Sequence, residues 1–150
     1  MVRFIPLILI VVFAVAAGVF LATTRNKADT GPFSGERAYS HVASLVGLGP
    51  RHPGSDSIAA AREYITGQLK QAGWSSNLQA FEDDTPRGRK EFVNIRARFP
   101  PADGGEIDWK RGGGLLLLCS HYDTKLIEGI NFDGANDGGS SSGVLLELAG

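Results

Sequence analysis

One cysteine in 150 residues, Cys119, leaves nothing for an intrachain disulfide to join, even in a compartment that would allow one. Excess charge is also missing: 15 Lys and Arg stand against 16 Asp and Glu, a formal net charge of −1. Binding to nucleic acid calls for a clustered basic face, so no nucleic-acid partner is expected. No internal repeat is visible along the chain. A length of 150 residues suits one domain or a piece of one.

What the chain has in quantity at its start is apolar sequence. After Met1, Val2 and Arg3, the run from Phe4 to Ala22 carries no charge and is interrupted only by Pro6 and Gly18. A helix of about 19 residues matches a bilayer core, which makes residues 1–22 an export segment, a signal anchor or a signal peptide. Ala14-Val15-Ala16 fits a small-x-small cleavage site, yet Val19, Phe20 and Leu21 extend the apolar run beyond it. That extension favours an uncleaved anchor reaching the membrane through residues 4–22. The remainder is then expected outside the cytoplasm, membrane-anchored or secreted. Residues 23–35, polar with Gly and Pro, read as a linker.

From Ser34, a helix N-cap, Ala38, Val42, Leu45 and Val46 follow helical spacing up to Gly47 and Gly49-Pro50. A second helix is predicted from Ser55 or Asp56, with Ile58, Ala61, Ile65, Leu69 and Ala72 on one face and Gly73 as its stop. Strand patterns follow at Trp74 to Phe81, Phe92 to Phe99 and Leu115 to His121, with Glu82–Lys90 and Pro100–Gly114 as connections. The third strand reads as buried, so Cys119 is expected to be an inert core thiol. Val144, Leu145, Leu146 and Leu148 open a further helix. This order suits an α/β sandwich with its functional loop at the C-terminal end of a central strand, the edge where open α/β sheets bind ligands.

His121 to Asp137 lies on that edge. On a strand, His121 and Asp123 share a face, and the Asp can fix the imidazole tautomer or support it from behind a metal. The loop Asn131 to Gly139 then returns Asp133 and Asp137 towards the strand end, its glycines allowing close backbone approach. Imidazole plus carboxylate is zinc-type ligation, and an incomplete protein set leaves room for water or substrate. A calcium loop is disfavoured because its third position is Ala135 and its twelfth Val144. A phosphate cradle lacks its Lys. On His121-x-Asp123 alone, an ordinary strand-end His beside a polar turn stays open; the second carboxylate loop favours the metal.

These stretches resemble the zinc-dependent aminopeptidase family that also contains the animal-type glutaminyl cyclases. The resemblance rests on His121-Tyr122-Asp123, on Gly134-Ala135-Asn136-Asp137, and on Leu145-Leu146-Glu147-Leu148-Ala149 after it. Upstream it takes in Leu48-Gly49-Pro50-Arg51-His52-Pro53-Gly54-Ser55, Ala61-Arg62-Glu63-Tyr64-Ile65 and Phe92-Val93-Asn94-Ile95. It covers residues 36–150, in order, as the N-terminal part of such a domain. The fold it implies is a three-layer α/β sandwich with a central mixed sheet, zinc exopeptidase-like and here truncated at its C-terminal side. His121-Tyr122-Asp123-Thr124-Lys125 is more typical of the cyclase branch, although Ser142 stands where animal cyclases pair a second cysteine with the Cys119 position.

The resemblance implies that Asp137 is a zinc ligand, bridging two zincs in aminopeptidases and binding one in cyclases. It makes His121 a ligand of the second zinc in the di-zinc peptidases but generally not a ligand in cyclases, with Asp123 as its supporter. Asp137-Gly138 becomes a candidate for a cis peptide bond; His52 and Asp133 are expected to be structural or surface residues, and Arg51 a scaffold residue. The catalytic residues and remaining ligands are expected beyond Gly150, so this fragment alone is expected to be inactive. The implied reaction is conversion of a peptide's N-terminal Gln to pyroglutamate with release of ammonia. The alternative is a di-zinc aminopeptidase, also acting at a peptide N-terminus; the second alternative is a non-catalytic ectodomain, disfavoured because His121, Asp123 and Asp137 are all retained.

Overall fold

The computed structural model describes residues 32–101, 105–110 and 116–150. The apolar segment 4–22 lies outside the described residues, and among these no helix is long and apolar enough to cross a membrane.

Helix α1 (Gly35–Gly47) begins where the Ser34 side chain accepts a hydrogen bond from the Arg37 amide at 3.2 Å, satisfying one of the orphan donors of the first turn. Ser55 does the same for α2 (Asp56–Gln71), accepting from the Ile58 amide at 3.1 Å. The buried residues of α2 are Ile58, Ala61, Ile65 and Leu69, a single stripe at helical spacing. Its end is closed by Gly73 N–H donating to Lys70 O and Trp74 N–H donating to Leu69 O, the paired bonds that terminate a helix and turn the chain away.

Two antiparallel strands follow, β1 (Ser75–Thr85) and β2 (Gly88–Arg98), in register from Ser75↔Arg98 to Thr85↔Gly88. The connection expected at Glu82–Lys90 is thus only Pro86-Arg87. Charge and proline suggested a loop there, but on an exposed ribbon opposite charges face each other across the strands. Asp83 pairs with Lys90, and Arg89 reaches Glu82 at 2.8 Å; such cross-strand pairs support a ladder. Phe81 stacks on Phe92 beside them.

Helix α3 (Ser141–Ala149) completes the described elements and packs on α1. Leu146 joins Leu45, Ala61, Ile65 and Leu69 in a buried apolar cluster, flanked by Trp74, Ile95 and Tyr122. The α1–α3 approach is very close: a Cβ on Gly143 would lie 2.6 Å from the carbonyl oxygen of Ala38. Glu147, buried in the same interface, accepts from Arg37 Nε at 3.0 Å and from the Ser34 amide at 2.9 Å. The hydrogen bond from Arg37, then that from Ser34, holds its carboxyl below the usual carboxylate range.

The described residues therefore form an α/β unit of helices and one two-stranded antiparallel sheet. Residues 116–120 are not a buried strand as their sequence predicts: they pair with no strand among the described residues, and Leu116 and Leu117 are 88% and 83% exposed. Strand burial comes from neighbours on both sheet faces, and none of the described elements supplies them here. For the same reason Cys119 is exposed rather than a core thiol.

Candidate metal centre

Three segments meet at the site: the turn after α1, the run His121–Thr124, and the loop that leads into α3. Tyr122 roots the second segment in the hairpin, since its hydroxyl donates to Val93 O at 2.7 Å. Burial raises the Tyr122 pKa, with Arg62 opposing. Ser142, at the start of α3, donates to His121 O at 3.1 Å. Thr124 is buried and exchanges two bonds with Arg51: its amide donates to Arg51 O at 3.1 Å, and its Oγ1 accepts from the Arg51 amide at 2.8 Å.

The loop turns on two glycines. At Gly134 (φ 57°) a Cβ would sit 2.6 Å from Thr124 Cγ2 and 2.7 Å from Asp137 O. Gly138 (φ 82°) has the Asp123 carbonyl oxygen and the His121 ring at 3.0 Å from where its Cβ would be. Both need a left-handed backbone and open space, which only glycine supplies cheaply. The irregular turn Ala135–Ser140 breaks helical geometry at Asp137 (φ −83°, ψ 106°) and Gly138. It is this break, with trans peptides throughout the described residues, that aims Asp137; the cis bond expected at Asp137-Gly138 is absent because the positive φ of Gly138 makes the reversal.

The three residues singled out in the sequence come together. His121 Nε2 lies 3.0 Å from Asp137 Oδ1, and His121 Nδ1 lies 3.3 Å from Asp123 Oδ1. A neutral imidazole has one N–H to give. His121 Nδ1 also lies 3.2 Å from the Asp123 carbonyl oxygen; in the tautomer that places the N–H there, Nε2 would turn a lone pair towards the Asp137 carboxylate, and the two could share a cation. Nitrogen and oxygen ligands on one tetrahedral ion stand about 3.3 Å apart, close to the separation of this pair, and Asp123 lies beside the other ring nitrogen. His121 and Asp137 are 55% and 58% exposed, open to an incoming ion or substrate. Among the described residues no group of three or more His, Cys, Asp or Glu is placed to hold a metal ion, so these residues bring at most part of a ligand set.

Asp133 and His52 stay apart from this pair. The Asp133 carboxylate accepts from Asn131 Nδ2 at 3.0 Å, and His52 Nδ1 sits 3.3 Å from Pro53 O. Arg51 is the feature whose weight the sequence understated: it is fully buried and reaches both site segments. A single arginine in Leu48-Gly49-Pro50-Arg51, between two helices, was the only signal.

Residues 105–150 match the family described as Peptidase family M28. Over 99 residues the chain is 36% identical to a glutaminyl-peptide cyclotransferase of Dictyostelium discoideum, a match covering 59% of this chain and 28% of that protein. The solved glutaminyl cyclase of Porphyromonas gingivalis superposes with a TM-score of 0.68 at 32% identity, covering 78% of this chain and 41% of that one. A leucine aminopeptidase precursor from Bacteroides thetaiotaomicron has a similar fold, with a TM-score of 0.61 at 24% identity over 81% of this chain and 42% of its own. The chain spans little more than a quarter of the length of the curated relatives it matches.

Proposed function

The chain is a relative of the glutaminyl-peptide cyclotransferases and of peptidase family M28, and from that kinship we propose that it furnishes part of the zinc site of a glutaminyl cyclase. The observation that carries the reading is the convergence of His121 and Asp137, 3.0 Å apart, with Asp123 behind the imidazole. Asp137 would be a zinc ligand, and Asp123 would hold His121 at the rim of the site. Zinc bound there would polarise the γ-carboxamide carbonyl of an N-terminal glutamine. The nucleophile is the substrate's own α-amine, so the protein's task is to orient the peptide N-terminus and move a proton from that amine to the departing ammonia.

The remaining ligands and the acid–base residue would come from sequence outside these 150 residues, and the chain by itself would be inactive. In the whole domain, residues 116–121 would lie inside a three-layer sandwich, with their leucines covered by strands and helices. We place the domain outside the cytoplasm, with residues 4–22 as its anchor or signal.

A second reading has its own support. His121 Nε2 faces Asp137 Oδ1 directly, the arrangement expected if His121 binds a second zinc bridged by Asp137, as in a di-zinc aminopeptidase that activates water. Incubating the whole protein with a Gln-initiated peptide separates the two. The cyclase reading expects one ammonia per peptide with every other residue retained, and zinc still bound after His121→Ala. Free N-terminal amino acids, together with loss of one of two zincs in that variant, would transfer the protein to the peptidase reading.

A further inference from the structure

Arg51 is among the largest side chains with no exposed surface, and its guanidinium bonds to backbone carbonyls alone. Nε donates to Tyr122 O at 2.9 Å. Nη1 donates to Leu45 O and Asp133 O, both at 2.9 Å, and to Gly49 O at 3.3 Å; Nη2 donates to Gly134 O at 3.3 Å. One guanidinium thus joins the turn after α1 to the peptide between His121 and Asp123 and to the start of the loop that presents Asp137. Burial lowers its pKa, while the charges of Asp133 and Asp123 oppose that shift. The five carbonyl dipoles compensate the cation where water is excluded.

We infer that Arg51 is a positioning residue that fixes the loop carrying Asp137 against the segment carrying His121, and through the placement of the Asp137 carboxylate sets the geometry and affinity of the metal site. The inference rests on the zinc reading above. No bond of Arg51 reaches a metal-site side chain; its leverage is on the two backbones that carry them. Tyr122 O lies one residue from both His121 and Asp123, and Asp133 O and Gly134 O lie within four residues of Asp137. The fork matters as much as the charge. Arginine offers five N–H donors in a fixed plane, whereas lysine brings three on one atom and cannot span both segments.

The experiment uses the whole protein in wild-type, Arg51→Lys and Arg51→Ala forms. It measures zinc affinity by competition with a chromophoric chelator, the visible spectrum of the cobalt(II)-substituted site, and urea unfolding of the metal-free protein. Both variants are expected to lose about 10–100-fold in zinc affinity, the scale on which groups behind the ligands act, with a changed cobalt spectrum. Guanidinium ion at millimolar concentration is expected to restore affinity to Arg51→Ala, and ammonium is not. A purely structural arginine would lower urea resistance yet leave the cobalt spectrum as it was. Folded variants with wild-type zinc affinity and cobalt spectrum would overturn the inference alone, as would failure of both variants to fold with or without zinc. A wild-type protein that binds no zinc would instead overturn the zinc reading and this inference with it.

Discussion

Asp137→Ala is expected to weaken zinc binding by more than about 100-fold, beyond the 10–100-fold that groups behind a ligand command, while leaving the fold intact. The reason is the separation of the two roles in this part of the chain. Asp137 presents its carboxylate from an irregular turn, more than half exposed, so truncating it opens no cavity and orphans no buried partner. Surface changes of that kind usually alter stability by within about 0.5 kcal/mol. Loop shape rests on backbone instead: on Gly134, Gly138 and the bond from Gly139 N–H to Gly134 O. Metal analysis after gel filtration, with circular dichroism as the check on folding, reads the outcome. Stoichiometric zinc in the alanine variant would remove Asp137 from the site.

The second large effect is on stability. Leu45→Ala is expected to cost about 2–5 kcal/mol, the range for deleting a fully buried leucine. Leu45 has no exposed surface and sits where α1 meets Ala61, Ile65 and Leu69 of α2 and Leu146 of α3. Three elements would line the cavity, and α1 is already pinned: Gly143 presses on Ala38 O, and Glu147 holds Arg37. That leaves little freedom to collapse around the void. The Leu45 carbonyl also accepts from Arg51, so movement of this turn reaches the metal segments. Urea unfolding should show a lower midpoint with an unchanged slope, and a loss below about 1 kcal/mol would mean that the site relaxes freely.

How much of this was legible in the sequence followed the range of the interaction. The N-caps Ser34 and Ser55 and the stripe Ile58, Ala61, Ile65, Leu69 are local features, and the helices lie where they predict. His121, Asp123 and Asp137 were found because their chemistry repeats a known pattern at a recognisable spacing, and they do converge. The burial read at 116–120 is not realised among the described residues, because an apolar run reports a preference for burial and not the presence of a neighbour to supply it. The ends of the hairpin were hidden by charge, which pays off only across strands, as between Arg89 and Glu82. Arg51 and Glu147 show the same limit from the polar side. A lone charged residue reads as surface by default, and only the fold reveals the carbonyls around one and the Arg37–Ser34 grip on the other.

If Asp137 holds zinc with His121 and Asp123 at the rim, anomalous diffraction at the zinc edge from crystals of the whole protein will locate the ion. A peak is expected about 2.0–2.2 Å from an Asp137 carboxylate oxygen, on the side facing His121 Nε2, with Asp123 on the far side of the imidazole. Zinc bound elsewhere, with the His121–Asp137 pair left without metal in zinc-loaded crystals, would contradict that placement.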